Sequence, residues 1–379
     1  MKILIATDTF KDALPALEVC KTIKNGICLA DDKIETILFP LADGGEGTAE
    51  ILTWHSGGSL VKASFSDPLL RKIEAQYGIS ADGQTAFIEM AQTAGLQLLS
   101  EQERNCMNTS TFGTGEMIRH AIAKGVKKII LGLGGSATND AGMGMATALG
   151  FQFFDENDRE LEPIGSNLSK VQRIVKDEVV KGLEEVEFQV LCDVENPLFG
   201  ENGAAYIYAP QKGANFEEVK ILDEGLRHFA SILRIELFAE IEDVKGAGAA
   251  GGLGAGAIAF LKAKLVRGIE FVLKATEFEK VLTNSDLVIT GEGKIDNQSL
   301  DGKLIQGVAL ISQKHGVPVI AFCGTLEADP EHIKKMGLAA AFSILRKPSS
   351  LEESIEHTAD GLEKLAFNVI RAILKFHRD

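Results

Sequence analysis

A chain of 379 residues, 45% apolar and 25% charged, can bury a sizeable core, and its length suits two domains or one large one. A formal net charge of -15 excludes the basic face that non-specific nucleic-acid binding needs, yet leaves local fields free to hold an anionic ligand. The five cysteines include no CxxC pair and read as reduced thiols, no apolar run reaches membrane-span length, and the first residues are too short a run for a secretory leader. A soluble cytoplasmic protein is expected, with no nucleic-acid or membrane partner; the sequence leaves a homodimer open.

Residues 2–7 read as a short buried strand. A helix follows, with Leu14, Leu17, Cys20, Ile23 and Ile27 on one face, Asp12 as its N-cap and Pro15 in its first turn. Residues 34–39 form a second strand, and the loop 40–47 opens a helix near Thr48. This β-α-β-α order is the start of a parallel sheet. Between 60 and 90, short alternating runs broken by Asp67-Pro68 and Asp82-Gly83 predict an antiparallel meander. A helix over 109–124 and a strand over 126–131 lead into a glycine-rich stretch at 131–150, LGLGGSATNDAGMGMATALG. A strand over 188–192 ends at Asp193, and a second glycine-rich segment, GAGAAGGLGAG, fills 246–256. Apolar runs at 286–290, 317–322 and 339–344 restore the parallel pattern, with a helix over 303–315 between the first two. The last helix carries Leu362, Leu365, Val369, Ile373 and Phe376 on one face.

The economical architecture is α/β with two domains. Residues 1–67 plus 285–379 build a doubly wound, flavodoxin- or Rossmann-like parallel sheet from both termini. Residues 68–284 form an inserted mixed α/β domain carrying the glycine-rich loops. The active site is expected in the cleft between them.

A glycine turn between a strand and a helix N-terminus points backbone N–H groups at an anion. Gly134, Gly135, Ser136, Thr138, Asn139 and Asp140 are therefore candidate phosphate- or nucleotide-binding residues, together with Gly251 and Gly252 of the second segment. The runs 132–137 and 246–251 also match GxGxxA and GxGxxG, so either can be read as a dinucleotide fingerprint. Close helix packing explains such glycines equally well. No Walker A loop, DFG motif, GxSxG elbow or His/Cys zinc cluster is present, and the seven histidines are scattered.

Ligands of open α/β sheets sit at the carboxyl ends of strands. Asp8 and Lys11 end the first strand. Asp43 and Glu46 flank paired glycines after the second. Asp193 ends strand 188–192, and Glu292, Lys294 and Asp296 form an acid–glycine–cation run after 286–290. Buried strand-end carboxylates are costly without a metal, a cation or a hydroxyl donor. Carboxylates, glycine loops and one or two lysines suit phosphoryl transfer with Mg²⁺, which needs positioning and charge neutralisation more than covalent groups. Asp43, Asp193, Asp296 and Lys11 are the catalytic candidates, with Asp193 and Asp296 as metal ligands. Asp8, Glu46, Glu292 and Lys294 are the substrate-binding candidates. Two other readings stay open. A nicotinamide-dependent oxidoreductase of a small hydroxy acid would want glycine in the first turn, where Thr7-Asp8-Thr9-Phe10-Lys11 has none. A binding protein for a small organic acid would need no phosphate cradle.

DTFKDAL (8–14), FPLADGGEGT (39–48), GTGEMIR (113–119), the 131–150 stretch, CDVENPLFG (192–200), PQKGA (210–214), GAGAAGGLGAG (246–256) and VITGEGKIDNQSLDGK (288–303) run in order along nearly the whole chain. Together they resemble the bacterial glycerate kinase family of the first class. The resemblance implies ATP-dependent phosphorylation of D-glycerate with Mg²⁺, leaning toward the 2-phosphate, by two α/β domains flanking the active site. The chain departs from the family pattern at Thr7, Thr9, Asp12 and Ala141-Gly142, and none of these changes removes a charged group.

Overall fold

The computed structural model describes residues 1–296 and 304–376. The tail of the 288–303 motif, Asn297 to Lys303, lies outside the described residues, as does His377. In chain order the strands are β1 (Lys2–Thr7), β2 (Glu35–Leu38), β3 (Ser59–Ser66), β4 (Lys72–Ile79), β5 (Thr85–Glu89), β6 (Lys128–Gly132), β7 (Gln152–Phe154), β8 (Arg173–Val175), β9 (Glu187–Leu191), β10 (Lys264–Val266), β11 (Leu287–Ile295), β12 (Val319–Leu326) and β13 (Ala340–Ser343). The chain divides into two compact units, Met1–Asp43 with Ile269–Asp379, and Gly44–Gly268.

The first unit is built on a five-stranded sheet of order β13-β12-β11-β1-β2, every pair parallel. Counted within the unit this is the flavodoxin-like order 2-1-3-4-5. Ile3 to Ala6 are fully buried, as a parallel strand covered by helices on both faces must be. Helix Ala16–Ala30 buries Ala16, Val19, Cys20, Ile23 and Ile27; Cys20, Ile23 and Ile27 of the expected face lie in the core, while Leu17 is half-buried and Leu14 precedes the helix. Its N-cap is Pro15, not Asp12. Asp12 sits at φ 61° in a tight turn closed by two hydrogen bonds between Phe10 and Leu14, each 2.9 Å, so the chain is still turning where the cap was expected. Helix Thr358–Phe376 docks with Leu362, Ala366 and Ile370 buried, while Phe376 is exposed beyond the core.

The second unit holds a six-stranded sheet of order β10-β9-β6-β5-β4-β3. β10, β9, β6 and β5 are parallel neighbours; β3, β4 and β5 form the antiparallel meander expected from the broken alternating runs. Both boundaries fall away from the expected 67/68 and 284/285. Helix Thr48–His55 completes no crossover in the first sheet. It is fastened to the second, with the Ala49 N–H donating to Glu89 at the end of β5 (2.8 Å) and Thr53 against Gly78 of β4. On the return, Phe278 stacks edge-on against Phe39 at 5.5 Å, which places 269–284 in the first unit. Among the described residues no helix is long and apolar enough to cross a membrane.

Candidate active site

In a sheet of order 2-1-3-4-5 the crevice opens between the first and third strands, here β1 and β11. Asp8 follows β1 at that point, and its backbone N–H donates to the Gly291 carbonyl at 2.9 Å. Its side chain is 9% exposed, and one oxygen accepts the Thr9 N–H at 2.6 Å. Burial first, and then the charge of Asp43, push Asp8 well above the usual carboxylate range; Glu292 adds to the push and the Thr9 N–H opposes it. The sheet edge thus gathers three acids from β1, the loop after β2, and β11. Asp43 does not cap helix Thr48–His55, whose N-cap is Gly47.

The run 290–296 was expected to follow the strand 286–290 rather than to extend it. It is strand through Ile295, with Lys294 opposite Thr325 and Ile295 opposite Leu326 of β12. Charges at every second position between glycines imitate a loop but carry the period of a strand. Lys294 lies 2.8 Å from Glu327 and 3.6 Å from Asp296, and these carboxylates, Glu327 foremost, hold it charged. Lys11 is exposed in the Phe10–Leu14 turn.

In the second unit, Gly134 and Gly135 are exposed just beyond β6. A β-carbon on Gly134 would lie 3.3 Å from the Gly45 Cα, so the two glycine loops touch backbone to backbone. Asp193, beyond β9, accepts the Gly268 N–H at 2.9 Å. At Gly44, φ is 105° and a β-carbon would lie 2.8 Å from the Gly268 Cα and 3.0 Å from Asp193 Oδ2. Only glycine fits there. Glu46 is exposed and lines, with Glu50 and Glu89, a cavity of about 150 Å³. Asp193 and Asp296, expected to share one metal, fall on different units.

The rest of the expected phosphate set lies beneath the surface. Thr138, Asn139 and Asp140 are fully buried. One Asp140 oxygen accepts the Thr111 N–H and hydroxyl, both at 2.8 Å, and the Gly144 N–H at 3.1 Å; the other accepts the Gly142 N–H at 3.2 Å. Burial raises the Asp140 pKa, and those donors work against the rise. The helix expected directly after the turn begins only at Met143, past a bridge between Gly95 and Ser136. A dinucleotide fingerprint needs that helix at once, so 132–137 is not one. Gly251 and Gly252 are buried as well. Gly251 has φ 66°, and a β-carbon there would stand 2.0 Å from the Thr138 carbonyl oxygen. The second glycine segment therefore packs on the first, the bland reading of its sequence.

Sequence reasoning missed Lys212. It is 3% exposed, and its ammonium donates to Ser136 Oγ at 2.6 Å and to the Thr138 carbonyl at 2.8 Å. Burial brings its pKa down to about 8, against the opposing influence of Cys106 and Asp140. The one signal was its place in PQKGA, a motif whose lysine has no periodic partner.

A model of the Glycerate kinase family matches residues 3–374. A protein of Halalkalibacterium halodurans called Glycerate kinase is 45% identical over 367 residues, 97% of each chain. One of Escherichia coli K12 called Glycerate 2-kinase is 41% identical over 369 residues, again 97% of each. A crystal structure described as a candidate glycerate kinase 2 of Salmonella typhimurium LT2 superposes with a TM-score of 0.90 at 39% identity, covering 100% of both chains. Matches of this length and identity leave no room for the oxidoreductase or the binding-protein reading: the chain belongs to the glycerate kinase family, a family of kinases.

Proposed function

We propose that the protein transfers the γ-phosphoryl group of ATP to a hydroxyl of D-glycerate, the 2-hydroxyl in preference to the 3-hydroxyl, in the cytoplasm. The observation that carries the chemistry is the acid cluster at the β1/β11 crevice. A carboxylate whose proton affinity is raised well above the ordinary carboxylate range suits a general base for an alcohol acceptor. Asp8 has that environment: burial creates it, and the charges of Asp43 and Glu292 add to it. The exposed Gly134-Gly135 turn, stripped of the buried residues beside it, is left as the phosphate-facing element. Lys11 is the exposed cation at the β1 edge and suits the glycerate carboxylate or the moving phosphoryl group. The name of the Escherichia coli relative favours the 2-hydroxyl.

The donor chemistry fits Mg²⁺. The crevice offers carboxylate oxygens, and no group of three His, Cys, Asp or Glu side chains among the described residues is arranged to hold a metal alone. Magnesium needs only one or two carboxylates beside phosphate oxygens and water. One or two of Asp43, Glu292 and Asp296 would hold it, and when bound it would neutralise charge on the phosphates. Asp193 already accepts the Gly268 N–H, which suits a residue that fixes loops.

An assay coupled through enolase tests the reaction. Product formed from ATP and D-glycerate should feed enolase without phosphoglycerate mutase. A need for the mutase overturns the regiochemistry, and no ATP consumption overturns the kinase reading. Asp296→Asn is expected to lower kcat at least tenfold at unchanged melting temperature, and Asp193→Asn to lower kcat and melting temperature together. Near-normal turnover in either folded variant removes that residue from the working set.

A further inference from the structure

Lys212 is an expensive residue where it stands. It ends the short turn Pro210–Lys212, and its charged head is sealed from water. A buried ammonium carries a desolvation cost, and an apolar side chain of equal length would serve stability better. What the ammonium holds is specific. Ser136 Oγ and the Thr138 carbonyl both belong to the loop that follows the exposed Gly134-Gly135 peptides. The same loop is clamped on its other flank by Ala137 N–H to Ala94 O (2.8 Å) and Leu96 N–H to Gly135 O (2.9 Å). Beside the lysine, Thr138 Oγ1 and both polar atoms of the Asn139 amide are buried without a hydrogen-bond partner. A loop built for stability alone would not leave three such atoms orphaned. The nearby Asp140 carboxylate is already committed to four donors, so it does not take up the ammonium.

We propose that Lys212 is the positioning residue of the nucleotide turn: from beneath Ser136 and Thr138 it sets the Gly134-Gly135 peptides to receive the phosphates of ATP and gives that turn its positive potential. This rests on the ATP-dependent reading above. Arginine would keep the charge but not the compact geometry, and methionine would keep the packing but not the charge.

The test measures the ATP dissociation constant by calorimetry, and the KM for D-glycerate, in wild type, Lys212→Met and Lys212→Arg, each checked by thermal unfolding. Lys212→Met is expected to weaken ATP about tenfold or more, the scale of a lost charged hydrogen bond, with the glycerate KM within about twofold of wild type. Lys212→Arg should recover part of the loss. Wild-type ATP affinity in folded Lys212→Met overturns the proposal, and so does an equal loss for ATP and glycerate. If Lys212→Met does not fold, Ser136→Ala removes one anchor and leaves the ammonium buried; unchanged ATP affinity there overturns it equally. A wild-type protein that neither binds nor consumes ATP would instead sink the functional reading itself.

Discussion

An Asp8→Asn protein is expected to lose about a hundredfold or more in kcat and to melt at a higher temperature than the wild type. The two effects share one cause. Removing a general base typically costs 10²–10⁴ in rate, that is, about 3–5 kcal/mol. The same carboxylate is buried beside Asp43 and Glu292, and that environment holds its pKa well above the usual 3.8. For an acid with a raised folded pKa, the folded state binds more protons than the unfolded state between the two values. Stability is therefore full below the unfolded pKa and is lost as pH rises through the raised folded one. Asparagine removes the charge and with it that loss, a gain on the order of 1 kcal/mol at neutral pH. Melting curves from pH 3.5 to 8, without ATP or Mg²⁺, check the sign: the variant's advantage should grow with pH and vanish near the acid end. A variant that is less stable at every pH, or that keeps wild-type turnover, removes Asp8 from the role given to it.

Asp140→Ala carries the largest expected structural cost. The substitution strips the acceptor from three backbone N–H groups and the Thr111 hydroxyl, all at a fully buried site. Orphaned buried donors cost about 1–3 kcal/mol each before relaxation, and losses of this class reach about 4–5 kcal/mol in total. Urea unfolding should show a lowered midpoint, or the protein should fail to accumulate. Asp140→Asn should be milder, since one amide oxygen can still accept. A folded Asp140→Ala protein with wild-type stability and no ATP affinity would return Asp140 to the phosphate site where sequence reasoning put it.

The burial of Asp140 shows what a sequence can carry. Periodicity found the two sheets because burial repeats: Ile3 to Ala6 and Ile129 to Leu131 are apolar runs wherever they are read. It found the Gly134-Gly135 turn because glycines in a strand-to-helix link are rare and local. It could not separate Gly134 from Gly251, since one glycine faces solvent and the other faces a carbonyl of a segment more than a hundred residues earlier. Nor could it see that Thr111, on a different loop, waits for the Asp140 carboxylate. The family motifs drew attention to Gly134, Asp140 and Gly251 without saying which of them face a ligand and which face the rest of the chain. Lys212 was hidden for the same reason: only the folded chain brings it under Ser136.

The contact between Gly44 and Gly268 bears on how the molecule is made. The chain enters and leaves the second unit through two glycines whose backbones touch. Before that unit folds, the two parts of the first unit are joined by a flexible loop of roughly 225 residues, whose closure is slow and carries an entropy cost. Once it folds, the same parts are joined by a tether of effectively a residue or two, which removes about 4 kcal/mol of that cost. Because the second unit is contiguous, it can be complete while the ribosome is still making β11 to β13. The inserted unit would then act as a folding clamp: it assembles first and delivers β1 and β2 to strands that have not yet been translated.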